Sequence, residues 1–93
     1  MGKWEISFDA AKRRTTLLTR GLDFADAAKV FNGPVFEAED TRFAYPEQRY
    51  STIGLLDGRM IVIIWTETVT GRRVISMRKA NDREQAKYRS KLQ

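Results

Sequence analysis

Arg73-Val74-Ile75-Ser76-Met77-Arg78-Lys79-Ala80-Asn81-Asp82-Arg83-Glu84 decides how this chain folds. Val74, Ile75 and Met77 give its first part the apolar, β-branched character of a short strand, although two arginines and a lysine sit in it. Asn81, with Glu84 three residues later, then reads as a capping box, so a helix begins where the strand stops. Charge follows the same boundary. From Arg72 to Lys91 there are eight basic residues and two acids, a local charge of +6, whereas residues 1–71 hold nine basic and ten acidic residues. The net charge of +5 thus lies in the last strand and the last helix. Charge gathered on one edge of a small domain points to a polyanionic partner, and phosphate is the usual one.

Upstream of that stretch, Thr70-Gly71 marks a turn, and Arg59 to Glu67 is apolar on both faces through its middle, as a central strand is. Asp57-Gly58 is a hairpin signal. It joins Arg59–Glu67 to a strand over Glu47 to Leu56, in which Gln48, Tyr50 and Thr52 face one way and Arg49, Ser51 and Ile53 the other. Residues 35–46 carry the weakest pattern: a short strand over Val35 to Ala38, then a turn at Glu39-Asp40-Thr41-Arg42, with the acids Glu37, Glu39 and Asp40 clustered.

The N-terminal third alternates differently. Trp4, Ile6 and Phe8 have the period of a half-buried strand. Asp9 caps a helix from Ala10 to about Arg20, with Ala10, Ala11, Leu17 and Leu18 as its apolar positions and Gly21 as its stop. Asp23 caps a second helix to about Phe31, where Phe24, Ala27, Ala28 and Phe31 make one apolar face, and Asn32-Gly33-Pro34 ends it. The terminal helix, Asn81 to about Leu92, puts Arg83, Lys87 and Lys91 on one face. The order predicts a single α+β domain over residues 1–93: an N-terminal strand, two helices, an antiparallel β-meander and a C-terminal helix.

Composition narrows the chemistry. There is no cysteine, which excludes disulfides and thiolate nucleophiles and weakly favours the cytoplasm. There is no histidine, which removes the commonest general base and the commonest zinc ligand. Neither a metal nor a cofactor is expected. The longest apolar run, Met60 to Trp65, is far short of a membrane span, and Met1-Gly2-Lys3-Trp4-Glu5 does not open a signal peptide.

Several of these residues, in this order, resemble the BrnT family of bacterial toxins. Phe8, Asp9 and Lys12 match the family's opening aromatic-Asp pair and following Lys, although the usual aromatic is Trp. Gly21-Leu22-Asp23-Phe24 and Val30-Phe31 match the step into and out of the second helix. Glu47-x-Arg49, Gly54, Gly58-Arg59 and Thr66-Glu67 fall along the strands. The longest block is Arg73, Ile75, Ser76, Arg78 and Ala80, followed by Glu84 and Tyr88. Two positions depart from the pattern: Thr16 stands where Asn is usual, and Arg20 where His is usual. The resemblance implies the fold of RelE-type ribonucleases and a type II toxin that cleaves RNA and blocks translation. It further implies a BrnA-like, ribbon-helix-helix antitoxin as partner. The complex, a heterotetramer, would bind operator DNA through the antitoxin and repress its own promoter.

RNA cleavage without a metal uses the ribose 2′-OH as nucleophile and needs a base, an acid and positive charge on the transition state. Arginine suits the charge because it is planar, always ionised and bidentate toward phosphate. Arg73 and Arg78 are the first candidates, against the alternative of solvated strand residues or antitoxin contacts. Their opposite parity would send them to opposite faces of a straight strand, so either a bulge intervenes or one of them lies outside the site. Lys12 follows through its family match, against a plain helix-surface lysine, and Glu67 is a candidate base, against an idle strand-end acid. Arg49, Tyr50, Lys79, Arg83 and Lys87 are candidate RNA contacts. Against that, Arg49 can pair with Glu47 or Glu67, Tyr50 and Tyr88 can be rim aromatics, and the helix stripe can be a solvated face. Trp4 and Trp65 are read as core. A second function fits the same residues: a toxin-fold binding module that has lost cleavage and acts as antitoxin partner and co-repressor. An unrelated RNA-binding domain finds no support, since no Gly-rich nucleic-acid loop and no RNP-like aromatic pair is present.

Overall fold

A central five-stranded sheet organises the molecule. The computed structural model describes residues 5–92. The elements are β1 (Glu5–Ser7), α1 (Ala10–Arg20), a 3-10 turn (Phe24–Asp26), α2 (Ala27–Phe31), β2 (Val35–Glu39), β3 (Arg49–Leu56), β4 (Arg59–Glu67), β5 (Gly71–Lys79) and α3 (Asp82–Leu92). The fold is α+β, as expected. Trp4, expected to belong to the first strand and to the core, lies outside the described residues.

The sheet order is β1-β5-β4-β3-β2. Strands β2 to β5 form an antiparallel meander, and β1 adds to it parallel to β5, which makes the sheet mixed. Asp57 and Gly58 turn β3 into β4 with positive φ at both residues (52° and 81°), the conformation a tight hairpin of the right twist demands. Gly71 permits the parallel pairing: a Cβ there would stand 2.1 Å from the Glu5 carbonyl oxygen, so any other residue would push β1 off the sheet. No local pattern announces this contact, which joins chain segments more than sixty residues apart.

The alternation of β4 sorts its residues onto two faces. On the first, Ile61, Ile63 and Trp65 pack with Leu22, Phe24, Ala27 and Val30 of the turn and α2, and with Val74 and Met77 of β5. On the second, Met60 and Val62 pack with Ile53, Ala80 and Leu92 under α3. The second helix is shorter than its apolar spacing suggests. Asp23 accepts from the Ala25 N–H and starts a 3-10 turn, and only Ala27–Phe31 continues as α-helix. The apolar positions of α1 do not enter the core: no residue of α1 is buried, and Leu18 is 79% exposed. This helix is held by polar anchors instead. Arg13 makes a two-pronged ion pair with Asp23 (2.7 and 3.0 Å), and Arg20 Nη1 donates to the Met77 carbonyl (2.9 Å) on the edge of β5 that β1 leaves open. Among the described residues no helix is long and apolar enough to cross a membrane.

Candidate functional site

β4 and β5 pair with a break in register. Ile64 opposes Ser76 and Trp65 opposes Val74, which leaves Ile75 as the extra residue of a β-bulge. The bulge resolves the parity of the two arginines. Arg73 opposes Thr66 and Arg78 opposes Val62, and residues 62 and 66 share a face of β4, so Arg73 and Arg78 share it as well.

That face is the second one, and α3 covers only the end of it nearest the β3–β4 hairpin. The register lays this face out in rows across β3, β4 and β5. Arg49–Thr66–Arg73 form one row and Ser51–Ile64–Ser76 the next, both beyond α3, while in the third, Ile53–Val62–Arg78, Ile53 and Val62 are buried under α3 and Arg78 stands at its margin. Arg49 and Arg73 are two strands apart, about 10 Å between backbones, and Arg73 and Arg78 about 13 Å along the strand direction. Arg73 is exposed and makes no hydrogen bond or ion pair among the described residues. Arg49 is paired with Glu47 through its Nε and lies 4.2 Å over the Tyr45 ring.

Arg78 has a structural duty as well. Its Nη1 and Nη2 donate to the two carboxylate oxygens of Glu84 (2.8 Å each), and Nη1 also to the Lys79 carbonyl (3.2 Å). Glu84 in turn closes the capping box: it accepts from the Asn81 N–H (2.9 Å), while Asn81 Oδ1 accepts from the Glu84 N–H (2.8 Å). The guanidinium holds the Glu84 carboxyl below the usual carboxylate range, chiefly through these hydrogen bonds, and its own pKa rises in return. Three hydrogen bonds use three of the five N–H groups of Arg78, so two remain for an anion.

Two walls border the open face. On one side a groove of about 300 Å³ runs between α1 and β5, lined by Lys12, Thr16, Arg20, Ile75 and Ser76 among others. Lys12 therefore stands near the bulge, and its backbone N–H is capped by Asp9 (2.9 Å). On the other side lies a hollow of about 250 Å³, whose lining includes Arg42, Ser51, Ile64, Arg78 and Glu84. Arg42 belongs to a loop built on Asp40, whose side chain is 2% exposed. Asp40 accepts from Arg42 Nε (2.8 Å) and Nη2 (2.9 Å) and from the Tyr45 hydroxyl (3.1 Å). These bonds, those of Arg42 first, lower the Asp40 pKa to about 2.

The other candidates are scattered. Glu67 opposes Arg72 on the first face, across the sheet from Arg73 and Arg78. Tyr50 is also on the first face, stacked on Trp65 (centroids 4.8 Å apart), and Trp65 is core, as read from the sequence. There Arg72 lies over the Phe31 and Trp65 rings (4.2 and 4.3 Å) and donates to Glu37, which also accepts from Thr52. Lys79 opposes Ile61 on this face at the exposed end of β5. Arg83 and Lys87 are exposed on α3, with Lys87 Nζ 5.3 Å from the Tyr88 ring. Arg42 and Ser51 line the open face without having been singled out in the sequence. The signal available for Arg42 was Asp40-Thr41-Arg42, an acid and an arginine spaced to pair across a tight turn.

Among the described residues no group of three or more His, Cys, Asp or Glu side chains is placed to hold a metal ion. A family model described as "Ribonuclease toxin, BrnT, of type II toxin-antitoxin system" matches residues 8–84. No curated protein matches the chain.

Proposed function

The chain belongs to the BrnT family of ribonuclease toxins of type II toxin-antitoxin systems, and from that premise we propose that it cuts RNA, without a metal ion, on the open arginine-bearing half of its second sheet face. The observation that carries this reading is the bulge at Ile75, which puts Arg73 and Arg78 on one face, Arg73 in its open part and Arg78 at the margin of α3. In the reaction the ribose 2′-oxygen attacks the adjacent phosphorus and the P–O5′ bond breaks. The products are a 2′,3′-cyclic phosphate and a 5′-hydroxyl, the 2′ proton going to a base and a proton reaching the leaving oxygen. Arg73 and Arg49 flank Thr66 in one row and are near enough to converge on a single phosphate, where two guanidinium groups offset the charge of the pentavalent transition state. Arg78 lies too far along the strand to grip that phosphate from a second side and takes the next one. Lys12, beside the bulge, supplies the leaving-group proton. Lys79, Arg83 and Lys87 lie outside this row and guide the RNA backbone only at a distance. Tyr50 and Glu67, on the opposite face, have no part in the step.

The partner is a BrnA-like ribbon-helix-helix antitoxin. The heterotetramer it forms binds operator DNA, and free toxin in the cytoplasm stops translation by destroying RNA. A second reading is favoured by one observation: Arg20 occupies the family's usual histidine position and is bound to the Met77 carbonyl. If that histidine carried a proton in cleavage, this chain is a non-cutting antitoxin partner and co-repressor.

The test is incubation of antitoxin-free protein with total RNA in EDTA, beside an Arg73→Ala variant. Fragments with 5′-hydroxyl ends, reduced at least 100-fold in the variant, are expected. A folded wild-type protein that binds RNA and leaves it whole would establish the second reading.

A further inference from the structure

The loop between β2 and β3 carries the most exposed aromatic side chain among the described residues: Phe43, at 67%. The loop around it is built rather than loose. Asp40 receives Arg42 and Tyr45 as described above, Arg42 also donates its backbone N–H to Asp40 (3.3 Å), and Arg49 of the open face lies over Tyr45. Phe43 sits among these groups. The Tyr45 ring meets it edge-on at 5.7 Å and 76°, and the Arg42 guanidinium stands 5.7 Å from its centroid. Arg42 therefore touches both Phe43 and the hollow that leads to Ser51 and Arg78.

An exposed aromatic face, held by polar bonds to a buried carboxylate and set beside Arg42 at the border of the second sheet face, has the chemistry of a base-stacking platform. We propose that Phe43 stacks on a nucleobase of single-stranded RNA lying next to the phosphates held by Arg49 and Arg73, with Arg42 contacting the backbone between. The inference rests on the open face being the RNA-binding face. Position favours RNA over an apolar protein segment as the occupant: Arg42, which stands against the ring, also lines the hollow that holds Arg78, so the ring borders the arginine-bearing face. Within the loop Asp40 and Glu47 pair with Arg42 and Arg49, so the attraction for phosphate comes from Arg73 and Arg78 on the sheet. Every base presents a π-face, so the platform orders the strand without dictating a sequence.

The probe is a mixed-sequence 2′-O-methyl decaribonucleotide, which lacks the nucleophile and so reports binding apart from cleavage. Wild type, Phe43→Ala, Phe43→Trp and Arg73→Ala are compared, with thermal unfolding as the check on folding. Phe43→Ala is expected to weaken binding roughly 5-fold or more, on the order of the alanine-scan cost of one stacked base. Phe43→Trp is expected to keep wild-type affinity and to show emission that the oligonucleotide quenches beyond the wild-type background. Full affinity in Phe43→Ala, alongside weakened binding in Arg73→Ala, would overturn the platform and leave the RNA face standing. Unchanged affinity in both variants would instead sink the RNA face, and the platform with it. A Phe43→Ala protein that binds RNA normally and its antitoxin poorly would assign the ring to the protein partner and overturn the inference.

Discussion

At the scale of single residues, Arg73 and Arg78 look equivalent in the sequence and are not. Arg73 has no partner among the described residues, while Arg78 ties the end of β5 to the capping box of α3 through Glu84. Removing Arg78 therefore takes away an anchor and, on the proposed reading, a phosphate contact with it. Both ends of the Arg78–Glu84 pair reach solvent, which screens it. The expected cost of Arg78→Ala is about 1 kcal/mol, or roughly 5 °C in Tm for a chain of this size. Arg73→Ala is expected to leave Tm within about 3 °C while activity falls. Parallel melting curves and cleavage assays check this split, and equal Tm losses in the two variants would contradict it. The capping box itself was legible because both of its signals, Asn81 and Glu84, lie within one turn. That Arg78 would claim the same carboxylate was not, because it depends on where β5 ends relative to α3.

Among elements, legibility followed how local the determinants are. β4 begins and ends where its apolar run and the flanking Asp57-Gly58 turn place it, and the faces of β3 follow its alternation. The bulge needed a register between two strands, and the parallel seat of β1 needed Gly71 to meet Glu5. Neither is a local property. The Asp9 cap and the Gly21 stop are local and bound α1 where the structure has it, whereas the anchors that hold it, Arg13 on Asp23 and Arg20 on Met77, are not, and its leucines stay exposed. The loop after β2 gave the weakest pattern because its order comes from one buried carboxylate. That origin has a pH consequence. The Asp40 carboxyl titrates at about 2 in the folded chain, below its ordinary 3.8, because Arg42 hydrogen-bonds its ionised form. A depressed folded pKa contributes stability that is complete above about pH 4 and lost as pH falls toward 2. Asp40→Asn is thus expected to be less stable than wild type at pH 7, by about 1–2 kcal/mol, and to lose that difference near pH 2. Urea unfolding at pH 7, 4 and 2.5 measures it, and a gap that stays constant across the series would rule the mechanism out.

For the whole molecule, the question is whether the excess charge of the last strand and helix acts together. The fold divides it. Lys87 and Lys91 lie against the rings of Tyr88 and, for Lys91, Phe36, so part of the helix stripe covers apolar surface over the closed end of the second face. Arg72 is turned to the first face, onto Trp65 and Glu37. What the second face presents is Arg49 and Arg73 from one row of the sheet and Arg78 from another, with Arg42 and Lys12 at its borders. Binding that depends on a few phosphate contacts should then show a shallow dependence on salt, not one set by the full charge of the chain. For single strands each neutralised phosphate contributes about −0.7 to the slope of log K against log salt concentration. Three to four contacts predict a slope of about −2 to −3 for the uncleavable oligonucleotide, and Arg73→Ala should flatten it by about 0.7. Lys87→Ala should leave it unchanged, since that side chain is outside the rows. A steep slope that flattens equally for Lys87→Ala and Arg73→Ala would mean that RNA follows α3 rather than the sheet, and that the bulge at Ile75 aligns the two arginines for some purpose other than holding phosphate.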